Sequence, residues 1–246
     1  MRSRWLLLLS LTIAAPAAAR ADANPLQRSR QCLVVMAANW NSTTGVLHAF
    51  ERNNGSSSWK AHGAGVPVVL GKKGLAWGRG LVNTGAGPIK MEGDNKAPAG
   101  VFRLGQAFGY TRRPSARWVK LRYLPLTNQI EGIDDPRSRY YNRLVDRSTV
   151  ARVDWRTSEK MLRDDDLYKW GVVVEHNTPP RAGAGSCIFL HVWENSSTAT
   201  AGCTAMPERE LVKLLRWLDP VARPILVQMP SEIYGRLRSK YNLPPD

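Results

Sequence analysis

Beyond its first residues the chain has no apolar run long enough to cross a membrane. The longest, Trp5 to Ala15, is about half of the roughly 20 residues that a span requires. Phosphate-binding loops are missing too. Gly71-Lys72-Lys73 has Val66 where the upstream glycine belongs and no Ser or Thr after the lysine. Gly78-Arg79-Gly80 lacks its third glycine, so both nucleotide readings fail. Basic residues form no run: Lys72-Lys73 and Arg112-Arg113 are only pairs, which argues against a nucleic-acid arm. Asp134 and Asp135 stand without further oxygen ligands at suitable spacing, and no metal or other cofactor is expected. There is no internal repeat and no low-complexity linker. Cysteine is scarce, with three in 246 residues. An odd count leaves one thiol unpaired within the chain.

What is present is an ordinary globular composition, 43% hydrophobic and 22% charged, enough for one well-buried core. Residues 1–23 read as a secretory signal. Arg2 and Arg4 precede the apolar run, and Ala17-Ala18-Ala19 and Ala21-Asp22-Ala23 offer small-residue cleavage sites. Residues 24–246 are then expected to form one exported domain, placed in the periplasm or cell wall, with no stable membrane insertion after the signal is removed. The formal charge is +15. An exported basic protein is drawn to anionic polymers such as a cell-wall surface. Free thiols are liabilities in an oxidising compartment, so one that is retained invites a catalytic explanation. A Cys32–Cys187 disulfide with Cys203 free is one arrangement the count allows.

The patterning predicts mainly β structure with flanking helices. Strands are expected at Gln31–Ala38, Val46–Arg52, Trp59–His62 and Val66–Leu70, with Asn53-Asn54-Gly55 as a hairpin signal. These belong to an N-terminal β unit over 31–87. The glycines of 71–87 read as tight turns and close backbone approach. A strand starts at Gly100, after a turn in which Glu92 and Asp94 act as turn-capping carboxylates. Residues 108–150 read as irregular and aromatic. A short helix is expected at Ser158–Arg163, capped by Thr157 or Ser158. Strands follow at Leu167–Glu175 and Ser186–Trp193, then a helix at Pro207–Leu218. Pro224–Met229 is a late strand in a core part spanning 88–229. Ser231 is expected to cap a terminal helix within 230–246.

The chemistry concentrates in Gly185–Trp193 and Thr200–Met206. In an extended strand Cys187 and His191 share a face but sit about 13 Å apart. That is too far for a hydrogen bond, so Cys187 reads as a small buried filler. Cys203 differs. The loop from His191 is long enough to fold back, and Gly202 permits unusual dihedrals. Pro207 suggests a helix whose positive end could support a thiolate and an oxyanion. On these residues alone, a nucleophile–base pair and a core histidine beside an unrelated buried cysteine are equally good readings.

His191 followed by Thr200-Ala201-Gly202-Cys203 resembles the histidine … Ser/Thr-x-Gly-Cys signature of the L,D-transpeptidases, the YkuD/ErfK family. Lys90-x-Glu92-Gly93-Asp94-x-x-x-Pro98-x-Gly100-x-Phe102 resembles that family's upstream strand entry. The resemblance covers residues 88–206 well and the N-terminal β unit more loosely. It implies an α+β, mainly β fold, a YkuD-like β-sandwich or open barrel. It also implies a peptidoglycan-modifying acyltransferase with peptidoglycan stem peptides as donor and acceptor. Cys203 would be the nucleophile and His191 the general base, oriented by the backbone carbonyl of Val192. Gly202, Thr200 and Thr204 would form the oxyanion and substrate-binding surroundings. The chain departs from the pattern at Ala201, where the family usually has histidine. It departs again at Ala205, where Arg or Asn is usual, and the His-to-Cys gap is short. With water as acceptor the same site would be a carboxypeptidase, endopeptidase or amidase. Without chemistry it would be a wall-binding scaffold.

Overall fold

The computed structural model describes Asn24, residues 26–82 and residues 85–245. The expected signal at 1–23 lies outside the described residues. In chain order the first strands are β1 (Gln31–Ala37), β2 (Thr44–Glu51), β3 (Lys60–Ala61), β4 (Val66–Val69) and β5 (Leu75–Trp77). The long β6 (Ala97–Gly109) is followed by β7 (Tyr123–Pro125), β8 (Ile130–Gly132), β9 (Leu144–Asp146) and β10 (Glu159–Lys160). Then come β11 (Trp170–Val174), β12 (Phe189–Val192), β13 (Thr204–Met206), α1 (Glu208–Trp217), β14 (Ile225–Pro230) and α2 (Ser231–Tyr241).

Eight of these strands close on themselves in the order β1-β14-β6-β11-β12-β13-β4-β2, with β2 returning to β1. The fold is mainly β, as the patterning predicts, but the sheet forms a closed barrel. Closure comes from β1, which runs parallel to β14 and antiparallel to β2. Pairing β1 on both edges leaves it no unpaired backbone to present to solvent. The strands of 31–87 share this sheet with the rest of the chain, since β1 lies on β14 and β4 on β13. Alternation turns one set of side chains inward. Leu33, Leu47, Phe102, Val172, Leu190, Met206 and Leu226 belong to one buried core. Each such side chain contributes roughly 1.5–3 kcal/mol on burial.

Two features differ from the sequence expectation in ways that shape the site. Residues 130–160 carry a second, three-stranded sheet, β10-β8-β9, where 108–150 reads as irregular and 158–163 as a helix. The helix loses because Ser158 caps nothing. Its hydroxyl donates to the Glu131 carboxylate at 2.6 Å, and Trp155 Nε1 donates to the same oxygen at 2.8 Å. Met161, three residues after Ser158, is fully buried, which an exposed two-turn helix would not provide. Ile130, Met161, Tyr168 and Leu126 pack with Phe108, Phe189 and Cys203. This layer therefore covers the outer face of β6 and β12.

The helices sit nearly where expected. Pro207 is the N-cap residue of α1, and its side chain can accept no capping bond from the first N–H groups. Leu211, Leu214 and Leu215 form the buried stripe of α1. Ser231 is the first residue of α2, and its hydroxyl reaches back to the Ala37 carbonyl at 3.1 Å, so it ties the helix to β1 instead of capping it. The hairpin signal at 53–55 is real, but β2 and β3 are joined by a longer loop. There the Asn54 carboxamide oxygen accepts from the N–H groups of Ser56 and Ser57.

Candidate active site

β12 and β13 are neighbouring parallel strands, with His191 in register with Ala205. Cys203 precedes Ala205 by two residues, so it shares a face with both. One step of two residues covers about 6.6 Å and one strand spacing about 4.8 Å, which puts the Cα atoms of Cys203 and His191 about 8 Å apart on a diagonal. At that spacing the two side chains are neighbours without a hydrogen bond between them, since the sulfur's partners are the Phe189 N–H and the Cys187 carbonyl. Both residues line one cleft of about 570 Å3 on the outside of the barrel. Thr204, one residue off, turns inward. Its hydroxyl donates to Gln228 Oε1 at 2.7 Å across the barrel interior, and the side chain does not line the cleft.

The imidazole of His191 is held by its Nδ1, which lies 2.7 Å from the carbonyl of Val192. A carbonyl only accepts, so Nδ1 carries the proton and Nε2 is the lone-pair nitrogen. The Tyr168 ring stands edge-on to the imidazole, with centroids 5.2 Å apart. Burial pushes His191 down to about 4, against the pull of the Val192 and Leu167 carbonyls. Burial likewise pushes the Cys203 thiol up to about 12, helped by Glu159 and opposed by the Phe189 N–H and Lys90. The resting pair is therefore a neutral thiol and a neutral imidazole. The sulfur accepts from the Phe189 N–H at 3.3 Å and donates toward the Cys187 carbonyl at 3.7 Å.

The loop before Cys203 is built by Thr200. Its hydroxyl donates to the Cys203 carbonyl at 2.6 Å and accepts from the Gly202 N–H at 3.1 Å. Gly202 has φ 152, and a Cβ there would stand 3.1 Å from the Lys96 carbonyl oxygen. Only glycine suits that backbone. One expected donor changes role here: the Gly202 N–H is occupied by the Thr200 hydroxyl, which leaves the Cys203 N–H as the candidate backbone donor. The helix contribution also fails: β13 lies between Cys203 and α1, and macrodipole effects fade within the first turn.

The two sequence motifs meet in space. Thr200 bridges to Gly71 and accepts from the Lys72 N–H at 2.8 Å, and the 90–96 turn backs Gly202. Asp94 caps that turn, accepting from the N–H groups of Met91 at 2.8 Å and Lys96 at 2.9 Å, and it pairs with buried Lys90 at 2.5 Å. Glu92 does something other than capping. It accepts from the Tyr141 hydroxyl and, at 2.7 Å, from Ser186 Oγ, fastening the turn to the segment before β12.

Cys187 is also more than filler. It lies outside β12, so the strand alternation that places it on the His191 face does not apply. It adopts φ 52, its N–H donates to Asn142 at 2.9 Å, and its carbonyl meets the Cys203 thiol. All three cysteines are free. Glu159, Tyr168 and Arg163 line the same cleft without having been singled out by the sequence, and Asp134, considered there only as a cation ligand, lines it too. Tyr168 donates to Glu159 at 2.5 Å, and burial raises the Glu159 carboxyl above its ordinary value. No spacing signal links Glu159 to Cys203; only the folding of the second sheet over β12 brings them together. Among the described residues no cluster of His, Cys, Asp and Glu has a metal-holding arrangement.

No family model and no curated protein matches the chain. Among solved structures it is similar to the helical cell shape determining protein Pgp2 from Campylobacter jejuni, at 14% identity and TM-score 0.36. The similarity covers 82% of this chain and 50% of that one, so the chain spans about half the length of that protein. A likeness at this level carries no argument about activity.

Proposed function

We propose that the chain is an exported cysteine acyltransferase acting on peptidoglycan stem peptides, an L,D-transpeptidase by reaction. One observation carries the reading: Cys203, directly before β13, and His191, on the neighbouring β12, line one cleft, with Nδ1 of His191 tied to the Val192 carbonyl. The resemblance of Thr200–Cys203 and Lys90–Phe102 to that family supports the choice of substrate. His191 Nε2 takes the thiol proton as sulfur attacks the donor amide carbonyl. The Cys203 N–H is the candidate donor to the developing oxyanion. Collapse of the adduct breaks the C–N bond, and the leaving amine departs with the proton from His191. An acceptor amine then attacks the thioester, loses its proton to His191, and restores the thiol.

The test is mass spectrometry of the protein after incubation with a tetrapeptide donor. An acyl adduct on Cys203, absent in Cys203→Ala, is expected. No adduct on a reduced, accessible Cys203 would sink the reading. Wall digests from overexpressing cells separate transfer, seen as new cross-linked dimers, from hydrolysis, seen as tripeptides without dimers.

A further inference from the structure

A second and larger cleft, of about 890 Å3, lies on the other side of Cys187, the residue that lines both. Arg28, Arg103, Arg122, Arg143 and Arg223 line it, with Glu175 as its one carboxylate. They come from five separate places in the chain: the lead-in before β1, the middle of β6, the approach to β7, the edge of β9 and the turn before β14. All five are exposed. None has a side-chain hydrogen bond, ion pair or ring contact among the described residues. Elsewhere the arginines are mixed: Arg137, Arg139, Arg147 and Arg163 each have a carboxylate within reach, while Arg152 and Arg209 stand alone among the described residues, so it is the gathering of five in one cleft that sets these apart.

Gathering five guanidinium groups in one concavity raises their mutual repulsion and focuses a positive potential on the space between them. The backbone adds a second observation. Arg223 has φ 51 and ψ 63, a left-handed conformation that a long side chain pays for with strain and that glycine or asparagine would adopt more easily. Strain retained in a residue that lines a cleft points to a use for its side chain. The lining offers no stacking platform for a base or sugar ring, because its one aromatic, Phe189, is only 1% exposed. Forked guanidinium groups match planar or tetrahedral oxyanions in pairs.

We propose that this cleft binds a compact ligand bearing clustered anionic groups, either a polycarboxylate or a polyphosphate. The inference does not depend on the reaction at Cys203. Titration calorimetry of the whole protein at about 50 mM salt, with citrate and with tripolyphosphate as probes, tests it. Saturable one-to-one binding of at least one probe is expected, and the tighter probe tells carboxylate from phosphate. The double variant Arg103→Gln/Arg143→Gln should weaken binding about tenfold or more. The charge-matched pair Arg152→Gln/Arg209→Gln, on exposed arginines outside the cleft, should not. Arg223→Gly removes the guanidinium while suiting the left-handed backbone, so it should weaken binding without lowering the thermal midpoint. This third variant decides the question if the first double variant fails to fold. Absence of saturable binding by either probe overturns the proposal. So does a loss in the cleft variants no greater than in the control pair.

Discussion

The chemistry proposed at Cys203 starts from two neutral groups that burial keeps neutral. A thiol pushed up to about 12 beside a histidine pushed down to about 4 is no preformed thiolate–imidazolium pair. Alkylation of Cys203 by iodoacetamide is therefore expected to be slow at neutral pH. It should climb through pH 9 and 10 without an earlier plateau, because the thiolate is the reacting form. A plateau between pH 4 and 7 would show an ion pair and contradict this picture. At Thr200 one hydroxyl makes both bonds that shape the turn before Cys203. Thr200→Val should cost about 1–3 kcal/mol in urea unfolding, the desolvation penalty of leaving the Gly202 N–H unpaired. Thr200→Ser should restore most of it.

Along the elements, the decisive fact is the parallel pairing of β12 with β13. It sets His191 beside Ala205 and sends Cys203 and Thr204 to opposite faces. Thr204→Val is expected to lower stability by about 1–3 kcal/mol, since it strands the Gln228 oxygen inside the barrel. Its Cys203 alkylation rate should match that of the parent. A large rate change would return Thr204 to the cleft. β1 to β4, β14 and both helices were legible from period and turn chemistry to within two residues, whereas β5, β7, β8, β9 and β13, which are three residues each, were not. Ser158–Arg163 was not, because its side chains answer to Glu131 and to the buried cluster around Met161, not to their own neighbours. The same limit hid Glu159 and Tyr168. Their place opposite Cys203 arises from a sheet folded over the barrel, a contact between segments far apart in sequence.

For the molecule as a whole, burial of two histidines couples stability to pH. His176 and His191 are both pushed down to about 4, chiefly by burial. Their folded values lie below the unfolded one, so between about pH 6.5 and 4 the unfolded chain binds more protons and stability falls as pH falls. The stabilisation is fully present above the unfolded value. Each histidine accounts for roughly 3 kcal/mol over that window. Glu159, whose carboxyl is raised, works weakly the other way. Urea midpoints measured from pH 7 to 4 should drop steeply. His176→Gln should flatten that slope by about one proton, as the carboxamide can keep a bond to the Ala184 carbonyl now 2.9 Å from His176 Nε2. An unchanged slope would mean that His176 charges freely in the native state.

By itself the sequence determined the periodicities, the turns, the basic charge and the residue types that chemistry needs: a cysteine after a flexible glycine, and a histidine at a strand end. These are local properties, set by neighbours within a few positions. Only the tertiary structure decided that β1 closes the sheet into a barrel and that β13 separates Cys203 from the α1 terminus. It alone decided that Thr204 faces the interior and that five arginines from separate segments share one cleft. Each of those depends on which strand pairs with which. Pairing is settled by burying one common core and satisfying backbone groups across long loops, and no short stretch of sequence carries it.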